Sequence, residues 1–380
     1  MPSSLSILDQ FSALEDPRQH WRVVYPLPEI LLLVLCATLS GMDDFVEIRL
    51  WGEQRLDFLR RFLPYARGLP AHDTLNDVVN ALDADLFQDC FSAWVERLRE
   101  AEPDLIAIDG KTSRRCHAKA KGRAALHTVS AWASRQRLVL GQEAVADKSN
   151  EITAIPRLLE RLELKGALVT IDAIGTQAPI AETIVARGGD YLLALKANRP
   201  ATHDDVVRFF AEPADPTRDT HETVDNDHGR LERRRHSVCH DVAWMRSDRR
   251  YPNEPHFPHL AMIGLVETQV ERADRITQER RYYLSSAKLD AKTFAAAVRA
   301  HWHVENRLHW VLDVVFHDDL VRLRTGFGPQ NMAVVRHMAM NLVRAPRDRH
   351  SLKVQRKLAN LNPDYLEALI RQTPVGASKS

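Results

Sequence analysis

Asp109 and Asp172 each close an apolar run, Leu105-Ile106-Ala107-Ile108-Asp109-Gly110-Lys111 and Ala167-Leu168-Val169-Thr170-Ile171-Asp172-Ala173. Glu305 lies in a long helical stretch further on. Four or five apolar residues closed by Asp read as a buried strand whose end turns toward solvent. Ligands bind at such strand ends in open sheets. Two carboxylates at strand ends and a third on a later helix offer hard oxygen donors for two divalent metals. Two metals held ~4 Å apart activate an attacking oxygen and stabilise a leaving one. That is the chemistry of phosphoryl transfer on nucleic acid. A single Asp at a strand end caps a turn just as readily; only the three together, in this order, point to a metal site. Asp313 is a rival third ligand. It lies eight residues beyond Glu305, roughly 80° round an ideal helix, so only one of the two is expected to face inward.

Two basic segments are placed to hold phosphates. Lys111, Arg114, Arg115, Lys119, Lys121 and Arg123 follow Asp109 with no acidic residue among them. The other is His228-Gly229-Arg230-Leu231-Glu232-Arg233-Arg234-Arg235. In a strand, Arg230, Glu232 and Arg234 share one face. Either segment also reads as a solvated loop or a charged surface hairpin. The densest run is His301-Trp302-His303-Val304-Glu305-Asn306-Arg307-Leu308-His309-Trp310. His301, Glu305 and His309 fall near one helix face, which admits zinc, but no HExxH is present and no Cys is near. Trp302 and Trp310 are candidates for base stacking, or else core tryptophans.

The elements that must position these residues follow from periodicity. Residues 1–100 read as all-helical. Pro28–Leu39 is an apolar helix stopped by Gly41, Asp43 or Asp44 opens the next, His72 a third, and Asp83 or Asp85 a fourth. From residue 104 the pattern changes to strands Leu105–Asp109, Ala125–Ala133 and Leu138–Val145. A helix capped by Thr153 with Pro156 in its first turn comes next. Strand Leu168–Asp172, helix Thr176–Arg187 and strand Tyr191–Leu195 complete a β-β-β-α-β-α-β order. This is an α/β arrangement of ribonuclease-H-like order, preceded by an all-helical N-terminal domain. The spacing from Asp109 to Asp172 is 63 (172 − 109), and from Asp172 to Glu305 it is 133 (305 − 172). The second is too long for one helix and strand, so 200–285 is expected to be an inserted, mainly-β subdomain, with strands at Ser237–Val242, Leu260–Val266 and Arg281–Ser285. The catalytic domain then spans 104–345, and a polar tail at 346–380 is expected to fray.

Composition bounds the function classes. With 380 residues, 44% hydrophobic and 27% charged, the chain reads as globular. Its formal net charge of +1 means any DNA-binding surface must be locally sorted. Cys36, Cys90, Cys116 and Cys239 form no CxxC pair, which argues against a zinc cluster or a disulfide framework and fits a reducing cytoplasm. The apolar run Ile30–Leu39 is too short to span a bilayer, and Asp9, Glu15 and Asp16 argue against a signal peptide.

Ile108-Asp109-Gly110-Lys111, Ile171-Asp172-Ala173, Leu195-Lys196-Ala197-Asn198, His228-Gly229-Arg230 and the run from His301 through Val314 resemble the bacterial insertion-sequence transposases of the DDE type, and within them the H-repeat-associated group. The helical region with Leu69-Pro70-Ala71-His72-Asp73-Thr74 resembles that group's associated domain. The resemblance covers nearly the whole chain. It implies a ribonuclease-H-like catalytic domain, Mg²⁺ (with Mn²⁺ as a substitute) and an acidic triad of Asp109, Asp172 and Glu305. It also implies cutting and joining of DNA at the element's terminal inverted repeats. Broader relatives carry Tyr-x2-Arg-x3-Glu-x6-Lys around the glutamate; here Val298, His301, Glu305 and Leu312 stand in those places, so His301, Arg307 or Arg299 takes over phosphate contact. The expected DNA contacts are thus Lys111, Arg114, Arg115, Lys119, Arg230, Arg233, Arg234, His301 and Arg307, bordering the acidic site. Sequence preference is assigned to the N-terminal helices around His72 to Val79. Handling two ends requires at least two subunits on DNA, in a cytoplasmic, nucleoid-associated protein. The rival readings are an inactive transposase-derived DNA-binding protein and a stand-alone metal-dependent nuclease.

Overall fold

Five helices lead the chain in the computed structural model, which describes residues 7–116, 125–146, 149–212, 218–227, 230–246, 256–272, 275–345 and 348–373. They are α1 (Ile7–Ser12), α2 (Leu27–Leu39), α3 (Phe45–Leu59), α4 (His72–Ala81) and α5 (Ala84–Glu96). An unbroken apolar run makes α2 a helix buried on every side. Its one charged residue, Glu29, is buried as well and accepts from the Tyr65 N–H at 2.7 Å. Asp44 and Asp83 cap α3 and α5 as their sequence positions predict, each accepting from two backbone N–H groups of the first turn.

Next come β1 (Leu105–Ser113), β2 (Leu126–Ala133), β3 (Leu138–Ala144), α6 (Glu151–Glu160), β4 (Leu168–Ile171), α7 (Ala178–Ala186) and β5 (Asp190–Leu195). The predicted order of strands and helices holds. Two local details differ. Asn150, not Thr153, caps α6, accepting from the Ile152 N–H at 3.1 Å, so Pro156 lies inside the helix rather than in its first turn. And β1 does not end at Asp109. Its parallel pairing with β4 stops at Ile108↔Ile171, while its antiparallel pairing with β2 continues to Ser113.

After α8 (Pro200–Ala211) come β6 (Asp219–Asp227), β7 (Arg230–Cys239), β8 (Met262–Arg272) and β9 (Arg275–Ser285). These strands run 9 to 11 residues, longer than their sequence pattern marked. They join the same sheet, because β9 pairs antiparallel with β5. The result is one nine-stranded mixed sheet in the order β3-β2-β1-β4-β5-β9-β8-β7-β6. Helix α9 (Ala291–Val304) covers it through Phe294, which packs at 5.3 Å from the Tyr283 ring beside Leu192, Met262 and Val266. A π-helical segment, Glu305–His309, leads from α9 into α10 (Trp310–Val314).

The chain closes with α11 (Gly328–Arg344), α12 (Leu352–Leu361) and α13 (Pro363–Arg371). The expected fraying of the tail does not occur up to Thr373: Tyr365, Leu366, Leu369 and Ile370 enter the same hydrophobic cluster as Ile7 and Phe11. Polar composition concealed a strongly amphipathic pair of helices whose apolar faces reach α2 and α11. Helix α11 is buried from Asn331 to Val343 and packs on α2, α4, α5 and β3, joining the leading helices to the sheet through one core.

His337 lies at the centre of α11, fully buried beside the Phe91 ring. Burial pushes its imidazole down to about 3. The folded chain therefore keeps it neutral where the unfolded chain protonates it. A depressed pKa gives stability that is complete above the unfolded value near ~6.5 and is lost as pH falls toward the folded one. Each proton so excluded costs about 1.4 kcal/mol per pH unit in that window. Urea unfolding at pH 7, 6 and 5 should show this loss, and His337→Leu should make it shallower by about one proton's share. An unchanged slope in the variant would show that this imidazole takes its proton in the fold.

Candidate active site

The parallel register of β1 and β4 decides the site. Ile108 and Ile171 are the last paired residues, so the next residue on each strand, Asp109 and Asp172, stands at the point where the strands part. Asp172 leaves β4 and caps a 3₁₀ turn, Ala173–Gly175, by accepting from the Ile174 N–H at 3.1 Å. Asp109 accepts from the Gly110 N–H at 2.9 Å. Glu305 opens the π segment after α9. All three line one cavity of about 500 Å³. Burial first, and then the negative charges of Asp172, Glu151 and Glu305, push the Asp109 carboxyl up to about 7. Burial and Glu151 raise Asp172 as well, against the N–H groups of Ile174 and Gly175 and the Lys196 ammonium.

Glu151 is a fourth carboxylate that sequence reading did not single out. The His127 ring holds it at 2.7 Å. Gly110 lets it approach: a Cβ there would lie 2.1 Å from the Glu151 carboxylate oxygen. Glu151 opens α6, and only the tertiary packing of that helix brings it beside Asp109. His309 was also missed as a neighbour of Asp109; its Nδ1 is 3.6 Å from the Asp109 carboxylate, and burial above all pushes the ring down to about 4. A donor set dominated by carboxylates suits a hard divalent cation.

Several predicted phosphate contacts lie elsewhere. Lys111 is buried, with its Nζ 2.6 Å from Asp313, 3.0 Å from Asp318 and 3.5 Å from Asp319. Although burial works against its charge, Asp318 and Asp313 hold the ammonium above its usual range. It is therefore a counter-ion to three aspartates in this structure. Asp313, Asp318 and Asp319 are close enough together to hold a cation, and the Lys111 ammonium already sits among them. Asp313, the rival third ligand, is thus committed to Lys111. Arg115 is exposed; Arg114 is 82% exposed and 3.4 Å from Asp319. Lys119, His228 and Gly229 lie outside the described residues. Arg230, Glu232 and Arg234 do share a face of β7, with buried Glu232 2.6 Å from each arginine; Arg233 lies 3.9 Å from Glu222. None of these lines the acidic cavity. Its cations are Lys196, Arg280 and Arg281. Lys196 stood in the quoted Leu195-Lys196-Ala197-Asn198 motif, the one sequence signal that could have found it.

His301 does line the cavity. Burial pushes its ring down to about 4, and its Nδ1 lies 2.9 Å from the Thr170 hydroxyl. Arg307 faces a different groove, described below. Trp302 and Trp310 are 39% and 56% exposed, and the Arg281 guanidinium stacks 4.6 Å over Trp302 at the cavity edge, so neither is a core residue.

A strand-end carboxylate pair and a helix-borne glutamate thus open on one cavity. The Transposase DDE domain family matches residues 100–342, and its DDE_Tnp_1-associated companion matches 8–95. This chain belongs to the DDE transposase family and is an insertion-sequence transposase. It is 36% identical over 368 residues to the "H repeat-associated putative transposase YhhI" of Escherichia coli K12, covering 96% of this chain and 97% of that relative. It is 37% identical to the "Putative transposase YncI" of Escherichia coli O157:H7, covering 96% and 94% respectively. A piggyBac transposase synaptic complex with hairpin DNA overlays with a TM-score of 0.45 at 10% identity, over 96% of this chain and 80% of that one, too distant to carry an argument.

The Lys111 cluster gives a test of its role. Removing one partner of a buried ion pair leaves the other uncompensated, at about 3–5 kcal/mol. Lys111→Met should lose stability on that scale in urea, while the folded variant keeps the wild-type salt dependence of DNA binding. A stable variant with a flatter salt dependence would return Lys111 to the phosphate contacts.

Proposed function

We propose that the cavity lined by Asp109, Asp172 and Glu305 is where this transposase cuts DNA at its element ends and joins the freed 3′ end to target DNA. The observation that carries the reading is convergence: three carboxylates separated by 63 and 133 residues open on one cavity. The sheet order β3-β2-β1-β4-β5, with β1, β4 and β5 parallel, supports a ribonuclease-H-like catalytic domain over 104–345. In that division, 200–285 is the insertion and 1–100 the associated helical domain.

The donor set fits Mg²⁺ or Mn²⁺. Asp109, pushed up to about 7 by burial and then by its acidic neighbours, gains from a cation, which would favour its charged form. Asp109, Asp172 and Glu305 would hold the ions, and a bound pair supplies activation of the attacking oxygen and stabilisation of the leaving one. The protein's own groups do the rest. Gly110 and Ile174 N–H bonds fix the two aspartates, and the Thr170 hydroxyl fixes the neutral His301 ring against the wall. Lys196, Arg280 and Arg281 bring positive charge to the rim, where a phosphodiester must enter. Arg114 and Arg115 extend that field from the end of β1. The two ends of an element call for two copies of the chain on DNA. Among the described residues no helix is long and apolar enough to cross a membrane, and the reading places the protein with the nucleoid.

Cleavage of DNA carrying the element's own ends should require Mg²⁺ or Mn²⁺. Asp109→Ala and Asp172→Ala should each abolish it while leaving DNA binding intact, and each should unfold no more readily than wild type, since a like charge has been removed from a crowded site. Full cleavage by either variant, or cleavage supported by zinc alone, would overturn the reading. Cleavage without any joined product would make the protein a stand-alone nuclease.

A further inference from the structure

We infer that the groove between the β2–β3 turn, the π segment and the end of α11 is a second phosphodiester-binding site, which takes the DNA backbone through Arg137, Arg307 and Arg344. The inference rests on the proposed role of the acidic cavity, since it concerns the same DNA. Its starting point is charge pairing. With a net charge of +1, many of the described arginines are spoken for, among them Arg161 by Asp85, Asp89 and Glu143, Arg234 by Asp225 and Glu232, and Arg336 by Asp318. Among the described residues, no carboxylate pairs with Arg137, Arg307 or Arg344. Arg307 and Arg344 instead feel other arginines. Burial first, and then Arg137, lowers Arg307. Burial, Arg137 and Arg307 push Arg344 down to about 9. His303, on the same side, is lowered by burial and then by Arg307, Arg299 and Arg137.

Three like charges do not gather without a structural cause, and here the cause is visible. Arg344 donates to the Arg307 carbonyl and, at 3.5 Å, to the Arg137 carbonyl. Its guanidinium stacks 4.6 Å over the Trp132 ring. The turn that carries Arg137 is closed by its own N–H to the Ala133 carbonyl at 2.8 Å, with Arg137 in the left-handed region at φ 59°. Strand, turn and helix thus hold the three guanidinium groups around a groove of about 770 Å³. Two carboxylates also line it, and both are engaged: Glu100 by Arg135 at 2.7 Å, and Asp348 by the His350 ring at 2.7 Å and the Tyr365 hydroxyl at 3.0 Å. What remains uncompensated is positive. Guanidinium groups grip phosphate oxygens in pairs of parallel hydrogen bonds, so a phosphodiester supplies the missing charge.

The position of the groove selects DNA as the source of that phosphate. His301 and Glu305 line the acidic cavity, whereas Arg307 lines the groove. Arg307 lies two positions beyond Glu305 in the π segment, roughly 160° round it. One helix therefore divides the two sites. A helix is ~10–12 Å across, close to the ~12 Å width of the DNA major groove, so a duplex astride it can offer one backbone to the carboxylates and another to the arginines.

The test is binding of a duplex of unrelated sequence by the full chain, with chelator present, over a series of salt concentrations. Arg137→Ala combined with Arg307→Ala should weaken binding about tenfold near 0.1 M salt and flatten the log–log salt slope by nearly two, at ~0.9 per phosphate contact. The corresponding double lysine variant should keep most of the slope, and Arg60→Ala, at an exposed arginine just after α3, should leave it unchanged. Urea unfolding of the double alanine variant should be no easier than wild type, because repulsion is relieved; if that variant misfolds, Arg137→Gln alone should still flatten the slope by about one. Wild-type affinity and slope in the folded variants would overturn the groove while leaving the acidic cavity untouched. Failure of wild type to bind the duplex would overturn both. If the variants lose binding as expected but Asp109→Ala still cleaves, the groove stands and the assignment of the cavity falls.

Discussion

Carboxylates repel, and this structure depends on what forces them together. The pairing of Ile108 with Ile171 in parallel register fixes where β1 and β4 part, and the two aspartates follow with no freedom to separate. Asp109 registers the cost: burial and three acidic neighbours raise it to about 7. The strands can sustain this because their parallel-paired segments, Leu105–Ile108 and Leu168–Ile171, are largely apolar, with Ile106, Ala107, Val169 and Ile171 in the core. A local electrostatic cost is tolerated when the surrounding packing over-determines the geometry.

The third carboxylate depends on a second forced arrangement. Lys111 is two residues beyond Asp109 on the same strand, so both point to the same side of the sheet. The ammonium draws Asp313 and Asp318, and Arg336 of α11 closes on Asp318 at 3.0 Å. That buried cluster ties α10 to β1. Glu305 and Asp313 were expected to diverge by roughly 80° on a regular helix. The π segment changes this. One extra residue per turn reduces the rotation over eight residues by about 100°, leaving the two within roughly 20° of each other. Both can then address β1, Glu305 at the cavity shared with Asp109 and Asp313 at Lys111.

The order of strands and helices up to β5 could be read from the sequence because each element carries its own periodicity, and the three carboxylates could be picked because each follows such an element. What escaped was decided by distant partners. Nothing near Lys111 reveals that Asp318, 207 residues on, will bury it; locally it begins a basic loop. Glu151 falls before the helix start read at Thr153, and only the packing of α6 against β2 brings it to Asp109. Alternation placed Arg230, Glu232 and Arg234 on one face but could not say that Glu232 would be buried between the other two. The π segment has no compositional mark. The last helices were hidden by their polar faces, although Tyr365, Leu366, Leu369 and Ile370 keep helical spacing.

How a nearly neutral chain holds a polyanion then becomes a question of which cations are already committed. A phosphate can take Arg230 and Arg234 only by displacing Glu232, and Glu232 is buried. The exchange would leave an unpaired carboxylate in a poorly solvated place beside the incoming negative charge, and a buried charge stripped of its partner is strongly unfavourable. Lys111 is bound more firmly still, by three aspartates. Counting basic residues along the sequence therefore overstates what DNA can use. Among the described residues, Arg137, Arg307 and Arg344 need no such exchange, and the fold has left them facing one another. By that criterion the groove of Arg137, Arg307 and Arg344 outranks the more basic stretch on β7. It lies across a single helix from the carboxylates, so the duplex it would anchor is the one whose phosphodiester must enter the acidic cavity.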